Sequence, residues 1–235
     1  EFELPAVSGR QIESIFIGGG TPSLFSAEAL EKMLAVVRAN LQLNPDAEIT
    51  LEANPGTAEA ERFQAYHEIG INRLSIGVQS FDDTKLSALG RIHGADEALA
   101  AIQMAKDSGI KNFNIDLMFG LPGQSIDEAM TDLNTAFEQA ATHISWYQLT
   151  IEPNTVFYKQ RPSLPVHDAI WEMQTEGQQL LSDMAYKQYE ISAYSLKDKQ
   201  CRHNLNYWQF GDYLGIGAGA HGKLTNIETN KISRF

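Results

Sequence analysis

Residues 14–22 read Ser14-Ile15-Phe16-Ile17-Gly18-Gly19-Gly20-Thr21-Pro22. A short apolar run that ends in three glycines predicts a buried strand over 14–17, opening into a loop where backbone is left bare. Leu30, Leu34, Val37 and Leu41 then recur at helical spacing, which predicts an amphipathic helix over 26–41. The alternation continues downstream with a strand over 49–54 and a helix over 57–69 stopped by Gly70. A strand over 73–80, a short helix over 82–89, a longer helix over 95–108 and a strand over 111–119 follow. Ser125-Ile126-Asp127-Glu128 is a capping-box signature, and it opens a helix with Ile126, Met130, Leu133 and Phe137 on one face. A fifth strand is expected over 144–151, a helix over 167–185 and a sixth strand over 188–193. From Ser195 the chain reads as irregular and glycine-rich, with a polar-aromatic stretch over 203–213.

Strand–helix units of this length predict an α/β protein with a parallel sheet under helices. The units recur without reversal, so a TIM-like barrel or partial barrel is favoured over an open doubly wound sheet, and no linker divides the chain. The net charge of −12, with Lys and Arg scattered singly, excludes the electrostatic footprint of a nucleic-acid or anionic-membrane binder. The single cysteine, Cys201, excludes a disulfide framework and fits a reducing compartment. The opening residues Glu1-Phe2-Glu3-Leu4-Pro5 lack the pattern of a signal peptide, and no apolar run reaches the length of a membrane span. The expectation is a cytoplasmic protein.

In such folds ligands collect at the carboxyl ends of the strands. The residues expected there form a polar set: the triple glycine and Thr21, then Glu52, Gln79, Asp116, Thr150 and Glu152, with Arg91 and His93 after the third strand. The glycines are followed by neither the GK[ST] of a phosphate loop nor GxGxxG spacing, so a nucleotide phosphate is not the indicated ligand. Bare backbone suits an amino-acid zwitterion; Glu52 and Asp116 accept from hydroxyls or ammonium, and Arg91 clamps a carboxylate. Taken singly each residue has a structural explanation: a turn, a helix cap, an ion pair. The set at successive strand ends is harder to explain that way.

Four segments carry a resemblance in both order and spacing: 18–22 (GGGTP), 51–55 (LEANP), 72–81 (NRLSIGVQSF) and 114–122 (NIDLMFGLP). Together they resemble the radical-SAM core of oxygen-independent coproporphyrinogen III oxidases and their HemW-type relatives, over nearly the whole chain. The resemblance implies a partial (β/α)6 barrel. It implies that Gly19, Gly20 and Thr21 contact the methionine moiety of S-adenosylmethionine, with Glu52, Gln79, Arg91, Asp116 and Thr150 as further contacts. His203-Asn204-Leu205-Asn206-Tyr207 matches the HNxxY pattern that resembles HemW-type haem chaperones rather than the oxidases. It makes His203 the expected axial ligand of haem iron, with Tyr207 one helical turn on. Tyr194, Trp208, Phe210 and Tyr213 are expected to cover a porphyrin face, and His221 is a second candidate ligand. Cys201 is read as incidental.

The same family implies a 4Fe–4S cluster held by a CxxxCxxC motif, which this sequence lacks; the expectation is a fragment without the first strand and cluster loop. Residues 1–195 are read as barrel core and 196–235 as the start of a C-terminal haem-binding region. Expected partners are haem and haem-acceptor proteins, with a homodimer and transient contact with membrane-bound acceptors. The function read from all this is a haem chaperone. Coproporphyrinogen III oxidase activity is the alternative, and a hydrolase using Glu52 and Asp116 as a carboxylate pair is a third reading.

Overall fold

The structure, a computed structural model, describes residues 4–56, 60–226 and 229–235. Five parallel strands form its wall: β1 (Gln11–Ile17), β2 (Gln42–Ala53), β3 (Arg73–Gln79), β4 (Asn112–Phe119) and β5 (His143–Gln148). Each is hydrogen-bonded to the next in chain order. The helices are α1 (Leu4–Val7), α2 (Ala27–Asn40), α3 (Phe63–Glu68), α4 (Asp83–Ala88), α5 (Ala95–Asp107), α6 (Ile126–Glu138), α7 (Val156–Gln160), α8 (His167–Asp183) and α9 (Arg202–Trp208). The curled parallel sheet is a half-barrel, as the alternating pattern predicts.

Successive strand residues point to opposite faces. Ile49, Leu51, Leu74, Ile76, Ile115, Leu117, Ile144 and Trp146 share one face and pack beneath the helices. Glu48, Thr50, Glu52, Arg73, Ser75, Asn114, Asp116, His143 and Ser145 alternate with them and line the concave face. A parallel sheet covered on both sides normally reads as continuous apolar runs. Alternation here means that the concave face is built for polar work. Register aligns these polar residues in rows: Glu52 opposite Ser75, Ser75 opposite Asn114, and Asn114 opposite His143.

Local signals act as the sequence indicates. Ser125 and Glu128 cap each other's backbone at the start of α6, with bonds of 3.2 and 2.7 Å, an arrangement worth about 1 kcal/mol. Gly177, inside α8, has a packing reason: a Cβ there would lie 1.9 Å from the Trp146 ring. The helix therefore approaches the sheet only because the side chain is absent.

Four expectations are corrected. The sixth strand over 188–193 is instead an antiparallel hairpin of β6 (Lys187–Gln188) and β7 (Ala193–Ser195), and β7 runs antiparallel to β5. The chain reverses because Gln188 donates to the Ile191 carbonyl and Glu190 accepts from the Ser192 amide. The second strand starts seven residues earlier than expected, with a bulge opposite residues 12–14 of β1 that accommodates Pro45. In the expected helix over 57–69, residues 57–59 lie outside the described residues and α3 covers the end. The region after Ser195 is not wholly irregular: it contains α9 and a hairpin of β8 (Lys223–Asn226) and β9 (Lys231–Arg234). That hairpin is tied down at Asp212, whose carboxylate accepts from the Thr225 amide and hydroxyl, Lys223 and Arg10. These bonds outweigh burial and hold its carboxyl well below the usual carboxylate range.

Candidate functional site

The concave face carries two groups of functional side chains. The first lies at the carboxyl ends of the strands. There a cleft of about 240 Å³ is lined by Gly20, Thr21, Glu52, Gln79, Arg91 and Asp116, six of the residues singled out from sequence, together with Pro22, Ala53, Asn54, Ser75 and Gly77. Gly19 adjoins it: its backbone N–H donates to Glu52 Oε2 at 3.0 Å. Gly19 and Gly20 have φ of 82° and 59°, conformations that side chains resist, and a Cβ on either would project into open space. The glycines thus leave a cradle of bare backbone. Thr150 is exposed and does not line the cleft.

Gln79 is held in an unusual way. It is buried, yet its φ is 74°, in the left-handed region that a residue with a side chain adopts at a cost of about 1–2 kcal/mol. Tyr147 fixes it by donating a hydrogen bond to Gln79 Oε1 at 2.8 Å. Backbone strain retained beside a polar cleft is a signature of a functional position. Burial, together with the negative charge of Asp116, pushes the Tyr147 hydroxyl up to about 12, so it remains a donor at neutral pH.

Glu52 and Asp116 supply negative charge. Burial raises both carboxyls above their ordinary values, and the charge of Asp116 raises Glu52 further. A ligand offering hydroxyl or ammonium donors relieves that repulsion, while Arg91 can meet a carboxylate. Asp116 is steadied from below: Asn114 donates to Oδ1 at 2.7 Å and Ser75 to Oδ2 at 3.2 Å. His93 is buried against the Val78 carbonyl, 3.1 Å away, which gives it a structural role.

The second group surrounds α9, lower on the same face. Glu48, midway along β2, accepts from the Arg202 amide at 2.8 Å and from Cys201 Sγ at 3.5 Å. His203 stacks on Phe16 with ring centroids 4.4 Å apart, and Tyr207 packs edge-on against it at 4.9 Å. The i, i+4 placement expected from the sequence is therefore observed. Burial, then the charge of Arg73, pushes the His203 imidazole down to about 4. Its ring nitrogens make no hydrogen bond among the described residues, so a neutral, unengaged imidazole is presented. Tyr207, Trp208 and Phe210 are exposed beside it. Tyr194 is corrected: it is buried in β7 and accepts from Gln178, so it cannot face a ligand there. His221 is exposed.

Sequence reasoning missed Asn54, Ser75, Gly77, Asn114, Tyr147, His143 and Tyr189. Ser75, Gly77 and Asn114 could have been found by stepping back two or four residues along each strand from Gln79 and Asp116. Cys201 is not incidental in the structure, since it precedes α9 and is buried on Glu48.

The residues of this chain fit S-adenosylmethionine, by the bare glycine backbone and the hydroxyl- and ammonium-seeking carboxylates. They do not fit an iron–sulfur cluster: the only thiol is buried on Glu48, and no metal-holding group of three exists among the described residues. No helix among them is long and apolar enough to cross a membrane.

Comparison with known proteins agrees with this geometry. The profile of the Radical SAM superfamily matches residues 3–136. Haem chaperone HemW of Haemophilus influenzae is 56% identical over 230 residues, covering 98% of this chain and 60% of that protein. Haem chaperone HemW of Escherichia coli is 58% identical over 217 residues, covering 92% of this chain and 57% of that one. The chain thus spans about 60% of the length of the relatives it matches. Among solved structures, coproporphyrinogen III oxidase HemN from Escherichia coli superposes with a TM-score of 0.80 at 23% identity, over 94% of this chain and 54% of that one, a likeness of fold.

Proposed function

The chain belongs to the Radical SAM superfamily, and on that premise we propose that the intact protein is a haem chaperone: it binds haem through His203, holds S-adenosylmethionine in the strand-end cleft, and passes haem to acceptor proteins in the cytoplasm. The observation that carries this reading is the state of His203. Iron ligation needs a neutral imidazole with a free nitrogen; burial holds His203 neutral, and its ring nitrogens make no hydrogen bond among the described residues. The exposed rings of Tyr207, Trp208 and Phe210 beside it offer apolar cover for a porphyrin. The high identity to proteins named haem chaperones points the same way.

In the cleft, bound S-adenosylmethionine would supply a sulfonium and an amino-acid head. Gly19, Gly20 and Thr21 would hold the head by backbone groups, Arg91 would meet its carboxylate, and Glu52 and Asp116 would accept from its hydroxyl and ammonium donors. Gln79, locked by Tyr147, would orient it.

The test is a haem titration of the intact protein and its His203→Ala variant followed by the Soret band, with coproporphyrinogen decarboxylation assayed alongside. One-to-one haem binding that weakens by about 100-fold in the variant, equivalent to about 2.7 kcal/mol, without decarboxylation, supports the chaperone. Haem binding indifferent to His203 with consumption of coproporphyrinogen supports the oxidase instead.

A further inference from the structure

The two groups on the concave face are joined by an unbroken series of hydrogen bonds. The Cys201 backbone N–H and Asn204 Nδ2 donate to Tyr189 Oη at 3.2 and 3.3 Å. Tyr189 Oη lies 2.7 Å from His143 Nε2, and His143 Nδ1 lies 2.6 Å from Asn114 Oδ1. Asn114 Nδ2 then donates to Asp116 Oδ1 at 2.7 Å.

With Asp116 ionised, the donors and acceptors allow one arrangement. An ionised Asp116 only accepts, which turns the Asn114 amide so that its NH2 faces Asp116 and Ser75 and its carbonyl faces His143 and Ser145. His143 must then donate from Nδ1 and accept at Nε2, so Tyr189 donates to it and accepts from the helix. Burial keeps the His143 imidazole neutral, well below its ordinary value, which is the state this tautomer requires. His143 and Asn114 are each only 1% exposed, so water offers no alternative partner. The buried Arg73 guanidinium sits amid the series, with its charge acting on Asp116, His143, Tyr189 and His203. A second contact runs in parallel: Phe16, stacked on His203, also lies against Gly18 at the head of the glycine cradle.

We infer that Tyr189, His143 and Asn114 are positioning residues that connect Asp116 in the cleft to the helix bearing His203, so that occupancy of the cleft by S-adenosylmethionine and ligation of haem are energetically coupled. The inference rests on the haem-chaperone reading and deepens it. It also accounts for the first asparagine of the HNxxY stretch, since Asn204 is the side chain of α9 that engages the series. A ligand hydroxyl on Asp116 competes with Asn114 for the carboxylate, and every donor behind Asn114 must adjust. Bonds that polarise one another in a low-dielectric interior transmit such a change.

Coupling is reciprocal: whatever factor S-adenosylmethionine imposes on haem affinity, haem imposes on S-adenosylmethionine affinity. The experiment measures haem affinity of the intact protein by the Soret band with and without saturating S-adenosylmethionine, in the absence of reductant, and the converse affinity by calorimetry with and without haem. The expected result is a ratio of about 5-fold or more in the wild type, equal in both directions, that falls to about one in Tyr189→Phe. A merely structural tyrosine would weaken haem binding equally in both states and leave the ratio intact. If Tyr189→Phe does not fold, Asn204→Ala decides: it removes the one side chain of α9 on the series, and the ratio is expected to fall from its wild-type value although the Cys201 N–H contact stays. A wild-type ratio of one, or a ratio that survives in the deciding variant, overturns the inference. Failure of the haem reading itself shows separately, as haem affinity unaltered in His203→Ala.

Discussion

The strand-end cleft and the His203 helix share one concave face, yet they are assembled in opposite ways. The cleft is framed by the sheet: five neighbouring strands deliver Gly20, Glu52, Gln79, Asp116 and the Tyr147 that braces Gln79. The helix has no such frame. It is seven residues long, too short to be stable alone. It is held by partners far away in sequence: Glu48, more than 150 residues earlier, and Phe16. A cleft of the first kind follows from the scaffold, whereas a site of the second kind depends on a few long-range contacts and is free to respond to them.

The sharpest way to separate the two is Gly20→Val. The residue has φ of 59° and its missing Cβ leaves the space the ligand would take. A branched side chain there is strained and fills the cradle. The expected outcome is a loss of S-adenosylmethionine affinity of about 100-fold or more, while haem affinity measured without S-adenosylmethionine changes by less than about 2-fold. Calorimetry and the Soret titration read the two. If haem binding collapses as well, the regions are one site and the contrast is wrong.

This asymmetry explains what could be read from the sequence. The half-barrel was legible because strand–helix periodicity and glycine stops are local, and the cleft because its residues recur at strand ends. Ser75 and Asn114 were missed because each lies shortly before a more conspicuous residue on its own strand. Glu48, Tyr189 and His143 left no local signal: their role appears only when β2, β5 and the 189–192 turn converge on α9. The misread sixth strand has the same origin, since Gln188 and Glu190 close a turn by side-chain bonds that hydrophobic pattern does not register. The buried Arg73, 2% exposed with its Nε lacking a hydrogen-bond partner among the described residues, was likewise invisible.

The converse substitution, Glu48→Ala, attacks the helix alone. It removes the acceptor for the Arg202 amide and the Cys201 thiol. Loss of a capping acceptor costs about 1–2 kcal/mol, so haem affinity is expected to fall by about 10-fold. S-adenosylmethionine affinity measured without haem should stay within about 2-fold. An equal loss at both sites would mean that Glu48 supports the whole half-barrel and not the helix in particular.

The smallest effect lies in the pH profile. His203 is depressed to about 4, first by burial and then by Arg73, so the folded protein keeps it neutral while the unfolded chain protonates it near the ordinary value of 6.5. Its contribution to stability is therefore full above 6.5 and is lost as pH falls towards 4. Asp132 acts with the opposite sign. Burial raises its carboxyl to about 6, so the stability it adds is present below 3.8 and disappears as pH rises through 6. The two oppose each other between about pH 4 and 6, and His203→Ala should make the acid-side loss of stability shallower in denaturant titrations there. For haem the consequence is a level affinity: between about pH 7 and 5 the wild type should vary by less than about 2-fold, where a histidine at its unperturbed value would lose about 10-fold or more. A steep decline near pH 6.5 would mean that His203 titrates as an open imidazole before haem binds, and that the stacked, buried geometry is not kept in the haem-free protein.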